Sequence, residues 1–165
     1  MIACTAPRVV GVGEFVVSTS DRERLVTYAL GSCLGVAVHD PVAGVGGLLH
    51  LMLPDSTIDP VGVDQPGRYV DTGVPALFRE CYRHGARKER MVVKVAGGAF
   101  SNRVFDHDAF QVGRRNLVAL RRMFWKNGVL IHAEDVGGCL TVRTMSLFVG
   151  SGDVVLRVNG VDRPL

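Results

Sequence analysis

The chain of 165 residues lacks paired cysteines, a long apolar run and a marked excess of charge of either sign. Its cysteines, Cys4, Cys33, Cys81 and Cys139, stand far apart and form no CxxC motif, so a structural zinc site is not expected. No stretch is apolar over the roughly 20 residues that a membrane-spanning helix needs. A net charge of +3 is too small to require nucleic acid as a partner. We therefore expect no metal site, no nucleic-acid partner and no insertion into a membrane.

A secretory signal is also missing. The first ten residues contain an early proline and no long apolar core. Without export, scattered cysteines are typical of free thiols in a reducing cytoplasm rather than of disulfides. The sequence therefore predicts a cytoplasmic protein, and its length fits a single domain over residues 1–165.

Hydrophobic periodicity predicts about eight strands and two helices. Helices are expected over residues 69–83 and 113–127, where apolar residues recur at helical spacing. Strands are expected over residues 9–17, 25–30, 33–39, 44–53, 91–96, 129–133, 141–149 and 154–158. The helices separate groups of strands without strict βαβ alternation, which favours an α+β fold with a large mixed or antiparallel sheet system. Residues 55–68 are rich in proline and glycine and predict a loop.

One predicted hairpin carries the candidate chemistry. The apolar runs 33–39 and 44–53 flank an Asp-Pro turn signal and are expected to pair. Cys33 opens the first of these strands and directly follows Gly31 and Ser32. A tight turn at this point can present a nucleophilic thiol together with backbone N–H groups that form an oxyanion hole.

His50 and Thr27 can complete such a site. His50 lies within an apolar strand, where a buried imidazole needs a partner. If the two strands are neighbours, Cys33 and His50 can come within hydrogen-bonding reach, and such a pair stabilises the thiolate. Thr27 can accept the other imidazole N–H and orient the ring. Simpler explanations remain open: Cys33 as a small buried apolar residue, His50 bonded to a core carbonyl, and Thr27 as an ordinary strand residue.

Other polar and glycine-rich features are weaker signals. Asp106, His107 and Asp108 are consecutive and cannot all face one metal ion. The glycine pairs 97–98 and 137–138 follow predicted strands and can let the backbone approach a substrate. Two basic clusters are more simply explained as solvated helix faces than as a docking surface for an acidic partner. They comprise Arg83, His84, Arg87, Lys88 and Arg90, and Arg114, Arg115, Arg121, Arg122 and Lys126.

The region from Thr27 to Pro54, with GSCLGVAVHDP and GGLLHLMLP, resembles the CheD family, the chemoreceptor glutamine deamidases of bacterial chemotaxis. VGVGEF, RYVDTGVPALF, VAGGAF, VGRRN and AEDVGG continue the resemblance in the family's order. It implies a Cys–His–Thr triad at Cys33, His50 and Thr27. It also implies a fold like that of papain-like toxin deamidases, with layered mixed β-sheets, similar to a β-sandwich, flanked by helices. Cys139 departs from the family, whose members commonly carry a polar residue there.

The resemblance further implies a reaction and partners. The reaction is hydrolysis of receptor glutamine amides to glutamate and ammonia through a cysteine thioester, without a cofactor. Backbone N–H groups near Cys33, in the loop of Gly31 and Ser32, are expected to hold the oxyanion. The expected partners are methyl-accepting chemoreceptors, as substrates, and a CheC-type phosphatase or related adaptor. Two alternatives are a binding module with little or no catalysis, which docks on a phosphatase or receptor, and another cysteine hydrolase, such as an esterase or peptidase.

Overall fold

Ten strands and two α-helices are present in the part of the chain that the computed structural model describes, residues 6–58, 64–103, 108 and 110–165. The helices are α1 (Val70–Arg83) and α2 (Val112–Lys126). The strands are β1 (Arg8–Val9), β2 (Phe15–Ser18), β3 (Arg24–Leu30), β4 (Leu34–Asp40), β5 (Val45–Leu51), β6 (Val92–Gly97), β7 (Ala133–Val136), β8 (Arg143–Phe148), β9 (Val154–Val158) and β10 (Val161–Pro164). Cys4, Asp106 and His107 lie outside the described residues.

The strands form two five-stranded mixed sheets. We call the sheet with the order β1-β3-β8-β9-β10 the outer sheet and the sheet with the order β2-β5-β4-β6-β7 the central sheet. One pair in each is parallel, β1 with β3 and β6 with β7, and the other pairs are antiparallel. The expected α+β class with layered mixed sheets flanked by helices is confirmed.

The central sheet is buried on both faces, and this explains why β4 and β5 are continuously apolar. Side chains alternate along β5, so Leu48 packs in the layer between the sheets while Leu49 and Leu51 pack against the helices. All seven residues of each of these two strands are buried. His50 shares the face of Leu48, because the side-chain period of a strand is two. His50 therefore lies in the core between the two sheets.

The hairpin of β4 and β5 forms as predicted, and its turn has a clear physical cause. Asp40 Oδ1 accepts hydrogen bonds from the N–H groups of Val42 at 2.9 Å and Ala43 at 3.1 Å. The register that results places His50 directly opposite Gly35. The turn therefore sets which residues of β4 neighbour the histidine.

The predicted elements differ from the structure in a few places. Both helices match to within one residue, and Pro75 lies inside α1. The predicted strand 9–17 is divided between the two sheets, because Gly13 adopts a φ of 77° and the chain turns there. The strand predicted over residues 129–133 begins only at Ala133. Strand β10 was not predicted, since all four of its residues are exposed and show no alternation.

Candidate active site

The loop of residues 31–33 links β3 of the outer sheet to β4 of the central sheet and carries Cys33. Two of its carbonyl groups are held by the chain that leaves β6. The Ala99 N–H donates to the Gly31 carbonyl and the Gly98 N–H donates to the Cys33 carbonyl, both at 2.8 Å. The loop ends are thus anchored to the backbone of a neighbouring strand.

The absence of a side chain at Gly97 allows the backbone at the end of β6 to approach the loop of Cys33 this closely. Its φ is 108°, and a Cβ atom at this position would overlap the carbonyl oxygen of Cys33. Gly97 therefore lies against the loop of Cys33. The second pair neighbours the first, because the Gly137 N–H donates to the Gly97 carbonyl at 2.9 Å.

Thr27 and His50 meet in the layer between the sheets. His50 Nδ1 lies 2.7 Å from Thr27 Oγ1, and Thr27 Oγ1 lies 2.7 Å from the carbonyl oxygen of Val10. A carbonyl can only accept, so the single hydroxyl proton is directed to Val10. Thr27 must then accept from the Nδ1–H of His50, and this leaves the lone pair of the neutral imidazole on Nε2.

The Nε2 atom of His50 is a buried base without a proton donor. Among the residues that the structure describes it has no hydrogen-bond partner, and His50 is only 1% exposed. Burial lowers the pKa of His50, which keeps the ring neutral near pH 7. Because buried polar atoms are normally paired, this nitrogen stands out as one that can accept a proton or a hydrogen bond from a neighbouring group.

Cys33 lies on the same face of the hairpin as His50. It is two residues before Gly35, the residue opposite His50, which is the diagonal position on one face of an antiparallel pair. The thiol is half-buried and packs against the core between the sheets. Burial raises its pKa, and a hydrogen bond from its own backbone N–H partly opposes this shift.

The structure brings the three residues of the predicted triad to one end of the layer between the sheets, but it does not join all three. Thr27 and His50 are hydrogen-bonded, whereas no hydrogen bond links the Cys33 thiol to the imidazole, whose Nε2 has no partner. The thiol and the imidazole are both neutral in this arrangement. The stabilised thiolate that the sequence suggested is therefore not present in the resting structure.

The amides of the loop differ in their availability. The Gly31 N–H donates to the carbonyl of Ala29 at 3.0 Å, so it does not suit the expected role of binding an oxyanion. The Cys33 N–H lies beside its own thiol and acts to lower the pKa of that thiol. Ser32 is exposed. A cavity of about 260 Å³ opens beside the loop. Its lining includes Gly31, Ser32, Phe100, Ser101, Leu140 and Val142.

Asn116 is the residue that sequence reasoning missed. This fully buried side chain on α2 donates from Nδ2 to the carbonyl of Ser32 and to the carbonyl of Met52, each at 3.0 Å. The signal was available, since Asn116 interrupts the apolar helix face on which Leu117 and Leu120 are buried. A buried amide on such a face needs partners in the neighbouring chain.

Two negative findings concern the described residues alone. No group of three or more histidine, cysteine, aspartate or glutamate side chains is arranged to hold a metal ion within that part of the chain. None of the helices that the structure describes is long and apolar enough to cross a membrane.

Comparison with known proteins points to one family. The family model described as CheD chemotactic sensory transduction matches residues 52–158. A Syntrophus aciditrophicus relative named probable chemoreceptor glutamine deamidase CheD 1 is 47% identical over 156 residues, or 92% of this chain and 94% of the relative. A Solibacter usitatus relative named probable chemoreceptor glutamine deamidase CheD is 44% identical over 159 residues, covering 95% and 92%. The chemoreceptor glutamine deamidase CheD of Thermotoga maritima is 37% identical over 153 residues, covering 93% and 92%.

Proposed function

Because the chain belongs to the CheD family, we propose that it hydrolyses the side-chain amides of glutamine residues in chemoreceptors to glutamate and ammonia. The names of the relatives support the reaction and the substrate class. The observation that carries the chemistry is the buried, unpaired Nε2 of His50, on the same hairpin face as Cys33 and with its lone pair assigned by Thr27.

In the first half of the reaction, Cys33 acts as the nucleophile and His50 as the general base. His50 Nε2 takes the thiol proton, and the sulfur adds to the amide carbon of the substrate, forming a C–S bond. The imidazolium then donates that proton to the departing nitrogen. The C–N bond breaks, ammonia leaves and a thioester remains on Cys33.

In the second half, the same imidazole activates water. His50 Nε2 removes a proton from a water molecule, whose oxygen adds to the thioester carbon. The C–S bond breaks, the glutamate side chain is released and the proton returns to Cys33. The sum is one amide and one water converted to one carboxyl group and one ammonia, with no oxidant, reductant or cofactor consumed.

In the resting structure Cys33 and His50 are both neutral, so a proton must pass from the thiol to the imidazole before the thiolate can attack. No hydrogen bond within the described residues links the Cys33 thiol to His50 Nε2 in this state. A substrate carbonyl bound by the Cys33 N–H would bring the amide carbon beside the sulfur, which rotates about χ1 toward the imidazole. The thiolate is then favoured when a substrate is bound, and the same N–H holds the oxyanion of the tetrahedral intermediate.

The test is peptide mass spectrometry of a chemoreceptor cytoplasmic fragment incubated with the purified protein. We expect the mass increase that accompanies conversion of glutamine to glutamate, and its loss in Cys33→Ala and His50→Gln. If the wild type and Cys33→Ala gave equal conversion, the proposal would be wrong. Hydrolysis of small esters and peptides but not of receptor glutamines would instead favour another cysteine hydrolase.

We also propose a second role, docking of a CheC-type phosphatase or related adaptor, at a groove of about 840 Å³ lined by residues of α1 and α2. The groove combines exposed apolar side chains, Phe110 and Val118, with the cations of Arg115, Arg122 and Lys126. These three have no ion-pair partner in the part of the chain described, so an acidic partner surface would complement them. The double variant Arg115→Glu/Arg122→Glu should lose such binding and retain deamidation, which a pull-down with the purified phosphatase and the mass assay would show.

A further inference from the structure

The Asn116 side chain joins the two segments that carry the candidate nucleophile and base. Its single NH₂ group donates to the carbonyl of Ser32, the residue before Cys33, and to the carbonyl of Met52, two residues after His50. The side chain is fully buried and touches neither reacting group by a hydrogen bond. Any role in catalysis must therefore pass through the backbone.

The peptide group between Ser32 and Cys33 transmits the effect of this contact. All peptide bonds of the chain are trans as far as the structure describes it, so the C=O and the N–H of one peptide group point in opposite directions. The Ser32 carbonyl is directed at Asn116 on α2. The Cys33 N–H, which belongs to the same peptide group, must then be directed away from α2, toward the layer between the sheets in which the Cys33 side chain packs.

Within the described residues, no backbone hydrogen bond of the loop fixes the orientation of this peptide group. The carbonyl groups of Gly31 and Cys33 are held by backbone N–H groups, but these bonds leave the peptide group between Ser32 and Cys33 free to rotate about its flanking ψ and φ. Within the described residues, the Ser32 carbonyl has Asn116 as its hydrogen-bond donor. Without the amide, the Cys33 N–H can turn away from the thiol while both ends of the loop stay in place.

We propose that Asn116 is a positioning residue that locks the Ser32–Cys33 peptide plane, so that the Cys33 N–H meets the oxyanion formed during attack on the substrate amide. The proposal rests on the proposed function, since it requires amide hydrolysis by Cys33. The second hydrogen bond joins the Asn116 amide to Met52, just beyond the end of the strand that carries His50. One side chain therefore holds both the loop of Cys33 and the end of the strand of His50.

The unpaired oxygen of Asn116 agrees with this role. Oδ1 is buried and has no hydrogen-bond partner, and reversing the amide would set it against two carbonyl oxygens. An unpaired buried oxygen destabilises a fold. Packing alone therefore does not account for an amide at this position, whereas a need for two donors at one point does.

The experiment compares Asn116→Leu, which has a similar size and no donor, with the wild type. We measure kcat and KM for deamidation of a receptor fragment, and the rate at which iodoacetamide alkylates Cys33. Alkylation needs the thiolate but generates no oxyanion. We expect kcat to fall about 10- to 100-fold, because loss of an oxyanion donor reduces kcat by about 100-fold or more. KM should stay within about twofold of the wild type, and the alkylation rate should fall by much less than kcat, because alkylation loses only the effect of the N–H on the pKa of the thiol.

Unchanged kcat in Asn116→Leu would overturn the proposal, as would equal losses in kcat and alkylation, which indicate general disorder of the loop. Asn127→Leu is the matched control, because the exposed Asn127 side chain donates, among the described residues, to Met123 of its own helix. Its kcat should equal that of the wild type. If the wild type itself failed to deamidate the fragment, the proposed function would fall and this inference with it.

Asn116→Asp keeps the test decisive if the leucine variant does not fold. The introduced carboxyl can donate one hydrogen bond when protonated and none when ionised. We expect its kcat, divided by that of the wild type at the same pH, to decrease as the pH rises through the ionisation of this group. A ratio that does not change with pH would contradict the role of the donor.

Discussion

The imidazole of His50 and the hydroxyl of Thr27 are hydrogen-bonded at 2.7 Å although β5 and β3 belong to different sheets. The base comes from the central sheet and the group that orients it comes from the outer sheet. Their contact exists only when the two sheets are packed together. Which ring nitrogen of His50 carries the proton is therefore determined by the packing of the two sheets and not by the hairpin alone.

Replacing Thr27 with valine tests this contact. Valine keeps the shape, but it leaves the Val10 carbonyl and the Nδ1–H of His50 without partners in the core. We expect the free energy of unfolding to fall by about 1–3 kcal/mol. Because the ring loses its orientation, kcat should fall by about 10- to 100-fold. Urea unfolding and the deamidation assay measure the two effects.

Thr27→Ser is the matched control, since serine retains the hydroxyl. It should restore most of the activity that valine removes. A valine variant as active as the serine variant would show that the hydrogen bond has no part in catalysis.

The pH dependence follows from the burial of His50. The reaction needs the neutral ring, and burial lowers the pKa of His50 from its ordinary value of about 6.5. We therefore expect the acid limb of kcat/KM to have its midpoint below about pH 6.5. A midpoint above this value would contradict the assignment of His50 as the base.

The same pKa shift predicts a change in stability. As the pH falls below about 6.5, the unfolded chain takes up a proton at His50 while the folded chain does not, so the free energy of unfolding decreases. Urea unfolding at several pH values should show this decrease in the wild type and a weaker one in His50→Gln. Equal slopes in the two proteins would be evidence against a buried neutral histidine.

Gly97→Ala tests the close approach of β6 to the loop of Cys33. A methyl group at Gly97 would overlap the Cys33 carbonyl oxygen, so the loop must move and kcat should fall. Gly44→Ala is the control, because Gly44 also has a positive φ, 65°, but open space around it. The control should lose only the about 1–2 kcal/mol that left-handed backbone costs an alanine, with unchanged kcat. Similar losses of stability and activity in both variants would contradict the role of the overlap.

The three cysteines that the structure describes should react with iodoacetamide in a defined order. Cys139 is exposed, Cys33 is half-buried with a raised pKa, and burial is the main cause that raises the pKa of Cys81 to about 12. Because the thiolate is the reactive form, we expect Cys139 to be modified first, Cys33 next and Cys81 last. Mass spectrometry of peptides over a time course measures the order, and modification of Cys81 before Cys33 would contradict it.

Local signals in the sequence were sufficient for the α+β class, both helices and the hairpin of β4 and β5. Helical spacing and turn chemistry are short-range properties, and the Asp40 carboxylate binds amides only two and three residues away. Local signals failed for residues 9–17, where one apolar run is shared between the two sheets. They also failed for β10, whose exposed residues carry no alternation.

The candidate site likewise combines residues that the sequence predicted with contacts that only the tertiary structure decided. Cys33, His50 and Thr27 could be selected from residue type, apolar surroundings and a family resemblance. Their protonation could not, because it depends on burial and on a hydroxyl contributed by the other sheet. Asn116 is 84 residues from Ser32 along the chain, and packing of α2 against the central sheet is what brings them together. Long-range packing thus determined how the candidate residues are charged and oriented, since no short stretch of sequence contains both partners of these contacts.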